Sequence, residues 1–180
     1  MHAGSLVTLA GLAVVAIAAA GAGPVCLDPP APATLVHAAV TQVIDGDTIR
    51  VRRGLGASER VRLIGIDAPE VYAGAHLDEV GRRTHRSRAE ILTQGRRARA
   101  FARRHLAGRT VGLEFDVERL DRHGRTLAYV WLPDGTMFNV RIVREGYAQA
   151  LTVPPNVRYA ALFVACQREA RAAMRGLWAR

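Results

Sequence analysis

The sequence of 180 residues predicts an α+β fold, a five-stranded β-barrel of the OB type decorated with about three α-helices. Three observations indicate this class. Alternating apolar residues mark short strands, tight-turn residues separate them, and helical periodicity begins only after the first three strands. Strands that precede the helices disfavour a parallel sheet, in which strands and helices alternate. Such a barrel is a common frame for binding nucleic acid strands.

The elements are expected in the following order. Three strands come first, over 34–44, 47–53 and 59–66, and the turn RGLGAS separates the last two. A helix is expected over 93–106, because its apolar residues share one face and a glycine follows two residues later. Two further strands are expected over 110–118 and 125–132, and two helical segments follow over 138–145 and 156–174.

Residues 1–25 predict an export signal or a membrane anchor. Residues 6–23 carry no charge, and Ala18, Ala20 and Ala22 offer A-x-A type cleavage sites. The preceding segment contains no Lys or Arg, so an uncleaved anchor of near-minimal spanning length is the alternative. Both interpretations place the protein outside the cell or in the cell envelope.

Residues 26–33 are rich in Pro and Ala and predict a linker, so the folded domain is expected over 34–180. Cys26 and Cys166 are the two cysteines, and without a C-x-x-C spacing they do not suggest a zinc ribbon or a redox motif. In an exported protein they could form one disulfide that closes a long loop. The alternative is that Cys26 stays unpaired in a flexible segment beside the cleavage region.

The charge balance points to a polyanionic partner. The formal net charge is +9 at pH 7, and all 25 basic residues are arginine. Arginine binds phosphate through two parallel hydrogen bonds and keeps its charge. A basic domain of this kind favours nucleic acid as its partner over an acidic membrane surface.

The stretch TQVIDGDTIRV allows two interpretations. Asp-Gly between alternating apolar residues is a strong hairpin signal, since both residues tolerate the backbone of tight turns. Alternatively, the carboxylates of Asp45 and Asp47 converge on a hard cation, to which Asp67 could supply a further oxygen ligand. Arg62 and Arg125, one divalent ion and a spare carboxylate are the parts needed to hydrolyse a phosphodiester.

Four motifs resemble, in order and spacing, those of the thermonuclease family, the staphylococcal-nuclease-like domains. They are VIDGDT, RLIGIDAPE, DRHGRTLAYV with a following DGTMFN, and VREGYA. The resemblance runs from about Thr34 to Trp178, and the C-terminal stretch is similar to that of exported bacterial members. It implies an OB barrel of five strands with three helices. It also implies a calcium-dependent endonuclease that cleaves DNA and RNA and leaves 3′-phosphate ends.

The resemblance further implies an ion site. Asp47 and Asp67 match the side-chain calcium ligands of the family, and Asp45 matches an acidic position that acts on the ion through water. Ala68 stands where the family supplies a backbone carbonyl as a ligand. Calcium therefore follows from the resemblance, since a set of oxygen ligands also fits magnesium or manganese.

The catalytic roles follow in the same way, with one departure from the family. Glu70 matches the residue that acts as general base or orients water, and Arg62 and Arg125 match the two phosphate-binding arginines. Two tyrosines that hold the terminal nucleotide in well-known members are absent, and Leu151 and Val153 stand at their positions. Base stacking is worth about 1–3 kcal/mol per base, so substrate affinity must fall or depend on other contacts.

Ten arginines between Arg82 and Arg109 are the candidates for those contacts. Four lie in the loop over 71–93, and they are Arg82, Arg83, Arg86 and Arg88. The other six are Arg96, Arg97, Arg99, Arg103, Arg104 and Arg109. The loop could be a basic flap over the substrate, and the alternative is a solvated insertion. Ser87 and Glu90 in the same loop could form a capping box for a short helix.

The predicted function is an exported, metal-dependent endonuclease, a monomer that acts on DNA and RNA and has no evident protein partner. Two alternatives stay open. One is a non-catalytic OB-fold module of the cell envelope, for which a divalent ion would alter binding but not substrate integrity. The other is a membrane-tethered protein whose basic face docks on acidic lipid, for which residues 1–25 would remain in the mature protein.

Overall fold

The computed structural model describes residues 25–69, 71, 79, 81–82 and 85–179. The strands are β1 Val36–Val43, β2 Thr48–Arg52, β3 Ser58–Leu63, β4 Ile66–Asp67, β5 Thr110–Glu114, β6 Thr126–Trp131 and β7 Gln149–Ala150. The helices are α1 Arg88–Leu106, α2 Phe138–Arg144 and α3 Ala160–Ala172, and a 3-10 turn follows over Gly176–Trp178. Within this described part, no helix has the length and apolar character needed to cross a membrane. The predicted leader lies, apart from its last residue, outside the described residues.

Five strands close into a barrel in the order β1-β2-β3-β6-β5. Neighbouring strands are antiparallel, except that β3 and β6 run parallel. β1 closes the barrel by pairing with β2 along one edge and with β5 along the other. β4 and β7 form a separate two-stranded sheet. The closed barrel and the three helices confirm the predicted α+β fold of the OB type.

Residues of β1 alternate between the barrel core and the surface, and a bulge shifts that alternation. Ala38 and Val40 are buried, as expected for every second residue of a strand. The pairing with β2 is irregular between Val40 and Gln42, so Val43 rather than Gln42 returns to the core.

Helix α1 begins earlier than the sequence predicts. Ser87 Oγ accepts from the Glu90 N–H at 3.2 Å, and the Glu90 carboxylate accepts from the Ser87 N–H at 2.7 Å. The expected capping box therefore exists, but it starts this long helix rather than a separate short one. Ile91 continues the buried face of the helix towards its N-terminus, which is why the helical segment does not stop at Thr93.

A disulfide joins Cys26 to Cys166 of α3. Asp28 accepts a hydrogen bond from the Met137 N–H at 3.2 Å and lies 3.3 Å from Arg144 Nη1. The start of the predicted linker is thus held against α2 and α3. A bridge across 140 residues restricts the unfolded chain strongly, which stabilises the native domain.

Candidate active site

The bend VIDGDT connects β1 to β2 and is held by its own backbone. Asp45 Oδ1 accepts from the Asp47 N–H at 3.1 Å, and the N–H groups of Ile44 and Asp45 donate to the Thr48 carbonyl at 3.0 and 3.2 Å. The Asp47 carbonyl accepts from the Leu63 N–H of β3 at 2.8 Å. The predicted hairpin turn is therefore confirmed. Its hydrogen bonds do not use the Asp47 carboxylate, which makes contacts outside the turn.

Gly46 allows the bend to lie against two neighbouring segments. A Cβ at this position would come within 2.6 Å of the Ala68 Cβ and 3.0 Å of the Ala98 Cβ. Ala68 directly follows β4, and Ala98 is fully buried on the inner face of α1. Gly46 has no positive φ, so the requirement for glycine here comes from close packing alone.

Gly46→Ala is expected to lower the free energy of unfolding by about 1–3 kcal/mol, the usual cost of overpacking a filled site. It should also weaken divalent-ion binding, because the bend would move away from Ala68. Urea unfolding in EDTA and calorimetric titration with calcium measure the two effects. Gly54→Asn is the control, since a Cβ on Gly54 would meet nothing within 4 Å and asparagine tolerates its positive φ. A stable Gly46→Ala variant with normal ion affinity would contradict this role of close packing.

Three charged side chains meet beside the bend. The buried Asp47 carboxylate accepts from the Ala68 N–H at 2.6 Å and from Thr48 Oγ1 at 3.0 Å. Arg62 lies 2.6 Å from the same carboxylate through Nη1 and donates from Nη2 to Asp67 Oδ1 at 3.1 Å. One guanidinium therefore joins the two carboxylates that the sequence assigns to an ion.

The pairing of β3 with β2 brings Arg62 to this position. In that register Arg62 lies opposite Thr48, the neighbour of Asp47. Nη1 of Arg62 is buried, and it meets the Asp47 carboxylate as an ion pair without hydrogen-bond geometry. The Arg62 side chain as a whole is 15% exposed, so its guanidinium charge can also act on an oxyanion such as a phosphate that approaches from solvent.

Burial raises the pKa of Asp47 from its ordinary value of 3.8 to about 7. The charge of Arg62 lowers this pKa and offsets burial only in part, and the charge of Asp45 raises it again. The Ala68 N–H lowers the pKa, and the charge of Asp67 raises it further. A carboxylate in these surroundings is stabilised by any additional cation that binds next to it.

The donor chemistry fits a hard divalent cation. The carboxylates of Asp47 and Asp67 share the single positive charge of Arg62. Carboxylate oxygens are the ligands that a hard divalent cation prefers. Among the described residues, no group of three or more Asp, Glu, His or Cys side chains could hold a metal ion. Hard cations also accept water, backbone and substrate oxygens as ligands. Ala68 contacts Asp47 through its N–H rather than its carbonyl, and the Asp45 carboxylate accepts the Asp47 N–H within the turn. Their expected ligand roles therefore stay predictions.

A cleft of about 540 Å³ opens beside this cluster, and both Arg62 and Arg125 line it. The two arginines come together because β3 and β6 are parallel neighbours, with Arg62 opposite Leu127. Arg125 Nε donates to Asp121 Oδ2 at 2.7 Å, which fixes one side of the guanidinium. Burial alone would raise the pKa of Asp121, but hydrogen bonds from Arg125 and His123 outweigh burial and lower that pKa.

The family profile described as "Staphylococcal nuclease homologue" matches residues 60–180, which include Arg62, Asp67 and Arg125. The chain belongs to this family. Several relatives are similar over most of its length. A thermonuclease of Staphylococcus intermedius is 42% identical over 141 residues, which are 78% of this chain and 75% of the relative.

Two further relatives have a lower sequence identity to this chain. A thermonuclease of Staphylococcus hyicus is 37% identical over 139 residues, covering 77% of this chain and 73% of the relative. An uncharacterized endonuclease of Escherichia coli O157:H7 is 33% identical over 147 residues, covering 79% of this chain and 77% of the relative. The resemblance that the four motifs indicate is thereby confirmed at the level of the family.

The cleft wall between β7 and α3 is apolar in this member of the family. Leu151 and Val153, which the resemblance assigns to the tyrosine positions, line the cleft and are 41% and 59% exposed. Leu120 adds a third exposed apolar side chain to the same cleft. Aliphatic groups can contact a sugar or a base, but they lack the π-face on which a base stacks. A nucleic acid in this cleft would therefore depend more on the arginines for its contacts.

Two predicted site residues, Glu70 and Arg83, lie outside the described residues, so their roles stay predictions. Arg82 and Arg88 are exposed to solvent. Arg86 is half-buried and donates from Nη1 to a side chain of α1 at 2.9 Å and from Nη2 to a carbonyl of the 3-10 turn at 2.8 Å. Two donors of Arg86 are thus already used within the protein, and none of these contacts tests its predicted role in substrate binding.

Three side chains that support the site were missed by the sequence analysis. Gln149 donates to Asp67 Oδ2 at 3.4 Å because β7 pairs with β4. Asn156 bonds both the N–H and the carbonyl of Glu118, at 2.8 and 2.9 Å, and so joins two walls of the cleft. The third is Asp121, which the turn DRHG could have indicated. No local pattern marks the first two, because their partners are distant in the sequence.

Proposed function

We propose that this protein is a divalent-ion-dependent endonuclease that hydrolyses phosphodiester bonds of DNA and RNA and leaves 3′-phosphate ends. Calcium is the first candidate for the ion. The observation that carries the proposal is the cleft shared by Arg62 and Arg125 beside the carboxylates of Asp47 and Asp67. The arginines supply positive charge for a phosphate, and the carboxylates supply oxygen ligands for a hard cation.

The broader statement, that the protein is a nuclease, rests on the family and its members. The family profile covers most of the domain, and the relatives named thermonuclease and endonuclease align with more than three quarters of the chain. The identity of the ion, the two substrates and the 3′-phosphate product rest on the resemblance of the four motifs, and they are part of the proposal.

Each residue of the site has a definite role in the proposed reaction. Arg62 and Arg125 bind the non-bridging oxygens and stabilise the negative charge that grows on the phosphoryl group. Glu70 orients the attacking water or accepts its proton. Asp47 and Asp67 would hold the divalent ion, which would supply a Lewis acid for the phosphoryl oxygen.

The decisive experiment uses the protein without its leader but with both cysteines, stripped of metal. It is incubated with plasmid DNA and with RNA in calcium, magnesium or EDTA. We expect calcium-dependent degradation of both substrates and none in EDTA. Cleavage in EDTA would contradict the ion requirement. Intact substrate that still shifts on a gel would identify a binding module instead.

Arg125→Gln is expected to lower kcat by about 10²–10³-fold, the usual effect of removing one donor that stabilises charge in the transition state. Arg122→Gln is the matched control. Arg122 lines the same cleft, but it is exposed and its Nε donates to His123. The measurement is kcat and KM on a short oligonucleotide at saturating calcium. Equal effects of the two substitutions would remove Arg125 from the mechanism.

We also propose that the protein is exported. The motivation is the leader-like composition of residues 1–25, and the disulfide between Cys26 and Cys166 supports it, because disulfides persist in oxidising compartments. Cell fractionation with N-terminal sequencing is the test. A mature protein that begins after the leader is expected in the medium or envelope, and a membrane-bound protein that retains residues 1–25 would identify an anchor. An intact chain in the cytoplasm would contradict export.

A further inference from the structure

The outward face of α1 carries a dense positive charge. The helix contains six arginines and one glutamate. Four exposed arginines form two pairs with a spacing of seven residues, Arg96 with Arg103 and Arg97 with Arg104. Residues seven apart lie nearly above one another on a helix, so the four side chains form two parallel rows along the helix axis.

The space between the two rows is open. Ala100 is exposed and falls between the rows at 100° per residue. Its small side chain leaves a shallow furrow flanked by guanidinium groups. At 1.5 Å per residue the arginines extend over about 12 Å of the helix. This elongated surface is the arginine strip.

The charge of the arginine strip is not neutralised by the rest of the described structure. None of its four arginines makes a salt bridge with a described carboxylate. Arg96 donates to Thr93 Oγ1 at 2.8 Å, and the guanidinium of Arg104 lies 5.5 Å from the centre of the Phe101 ring. These contacts orient two guanidinium groups without cancelling their charge. Glu90, the acidic residue of the helix, lies in its first turn and is engaged by the N-terminal cap.

The arginine strip is separate from the cleft, and its helix packs against the acidic bend and β1. Ala98, on the buried face of the same helix, packs beneath the acidic bend at Gly46. Arg99 donates from Nε to the Val43 carbonyl at 3.3 Å and so ties α1 to β1. The strip therefore lies on the far side of α1 from Asp47. A helix is about 10–12 Å across, so a nucleic acid must extend beyond the cleaved bond to reach both surfaces.

We propose that the arginine strip is an exosite that binds the phosphate backbone of a long nucleic acid while the cleft cleaves it. The identity of the polyanion rests on the proposed nuclease function. Rows of guanidinium groups along a linear furrow match a linear array of phosphates, and they contact the backbone without reading its sequence. The exosite supplies affinity to a cleft that lacks the stacking tyrosines.

The same geometry disfavours an acidic membrane as the partner. A helix that lies on a membrane inserts an apolar face below its basic residues. The apolar face of α1 is buried in the protein core through Ile91, Ala98 and Phe101. The furrow itself exposes only alanine between the arginines. Nothing on this described surface could enter a bilayer.

The test replaces the four arginines with glutamine in one variant, Arg96→Gln, Arg97→Gln, Arg103→Gln and Arg104→Gln. Glutamine keeps the helix propensity of these exposed positions, so the fold should persist. Binding to a long DNA duplex is measured in EDTA over a range of salt concentrations. Each lost phosphate contact lowers the slope of log affinity against log salt by about 0.9, so the slope should fall by about 3–4. In calcium, cleavage of long DNA should weaken and cleavage of a dinucleotide should stay unchanged.

A matched variant removes the same charge from four exposed arginines outside α1. Its substitutions are Arg52→Gln, Arg60→Gln, Arg119→Gln and Arg168→Gln. We expect a smaller change in its salt slope. Equal changes in both variants would overturn the exosite, because the effect would then be one of net charge. Retained DNA binding with lost binding to vesicles of anionic lipid would also overturn it and assign the strip to membranes. If neither the native protein nor the variants cleave any substrate, the proposed nuclease function fails. The salt slopes of DNA binding in EDTA then still decide whether the arginine strip is an exosite.

Discussion

Asp47→Asn is expected to lower turnover by about 10³-fold or more, on long and short substrates alike, because a bound ion contributes several kcal/mol to transition-state stabilisation. Asparagine has nearly the same size and keeps one acceptor for the Ala68 N–H or Thr48 Oγ1. It removes the buried negative charge to which a cation would bind. The measurements are kcat at saturating calcium and calcium affinity by calorimetric titration.

Asp45→Asn is the control for this prediction. The Asp45 side chain accepts the Asp47 N–H in the turn, a bond that asparagine also makes. Its effect on turnover should be much smaller than that of the change at Asp47. A variant with asparagine at position 47 that keeps full calcium-dependent activity would exclude this carboxylate as a ligand. The nuclease would then need a different ion site.

The raised pKa of Asp47 also predicts how stability depends on pH in the metal-free protein. The native carboxyl holds a proton up to about pH 7, whereas the unfolded carboxyl releases it near pH 3.8. The native state therefore binds more protons in this window, so the contribution of Asp47 to stability is lost as pH rises from about 4 to 7. Urea unfolding in EDTA at the two ends of the window should show a larger loss for the native sequence than for Asp47→Asn. Equal pH dependence of the two proteins would contradict the raised pKa.

Glu70→Gln is expected to lower turnover by about 10²–10⁴-fold, the range typical of a lost general base, while substrate binding and fold persist. Glu70 follows Ala68 after a single proline, and Ala68 donates its N–H to the buried carboxylate of Asp47. The Cα atom of a residue two positions along the chain is at most about 7 Å away, so the sequence itself keeps Glu70 close to the backbone of Ala68. Single-turnover cleavage and gel-shift binding in calcium separate the chemical step from affinity.

Glu118→Gln is the matched control for Glu70. Glu118 lines the cleft, and its described contacts with Asn156 are made by its backbone, so the substitution leaves them intact. Its turnover should stay close to that of the native protein. A Glu70→Gln variant with an unchanged rate would remove Glu70 from the mechanism. The carboxylate of Asp121 would then be the next candidate, although its low pKa and its bond to Arg125 make it a weak base.

The sequence by itself determined the elements whose signals are local. Alternation and turn residues predicted the barrel strands, and the Asp-Gly turn and the Ser87–Glu90 capping box are both present where they were expected. The same local signals placed the start of α1 too late, at Thr93, because the capping box at Ser87 and Glu90 was assigned to a separate short helix. A capping box shows where a helix begins but not how far it continues, so the two segments were not joined. The order of the four motifs was sufficient to indicate the family, since each motif lies within one short segment.

Tertiary structure alone decided which distant groups meet. Arg62 bridges Asp47 and Asp67 because β2 and β3 pair in one register, and Gln149 reaches Asp67 only because β7 pairs with β4. Whether Cys26 pairs was open from the sequence, and the packing of the N-terminal segment against α3 decided it. Registers and packing depend on the burial of the whole core, and no short segment encodes them. The raised pKa of Asp47 has the same origin, since it follows from burial that exists only in the folded protein.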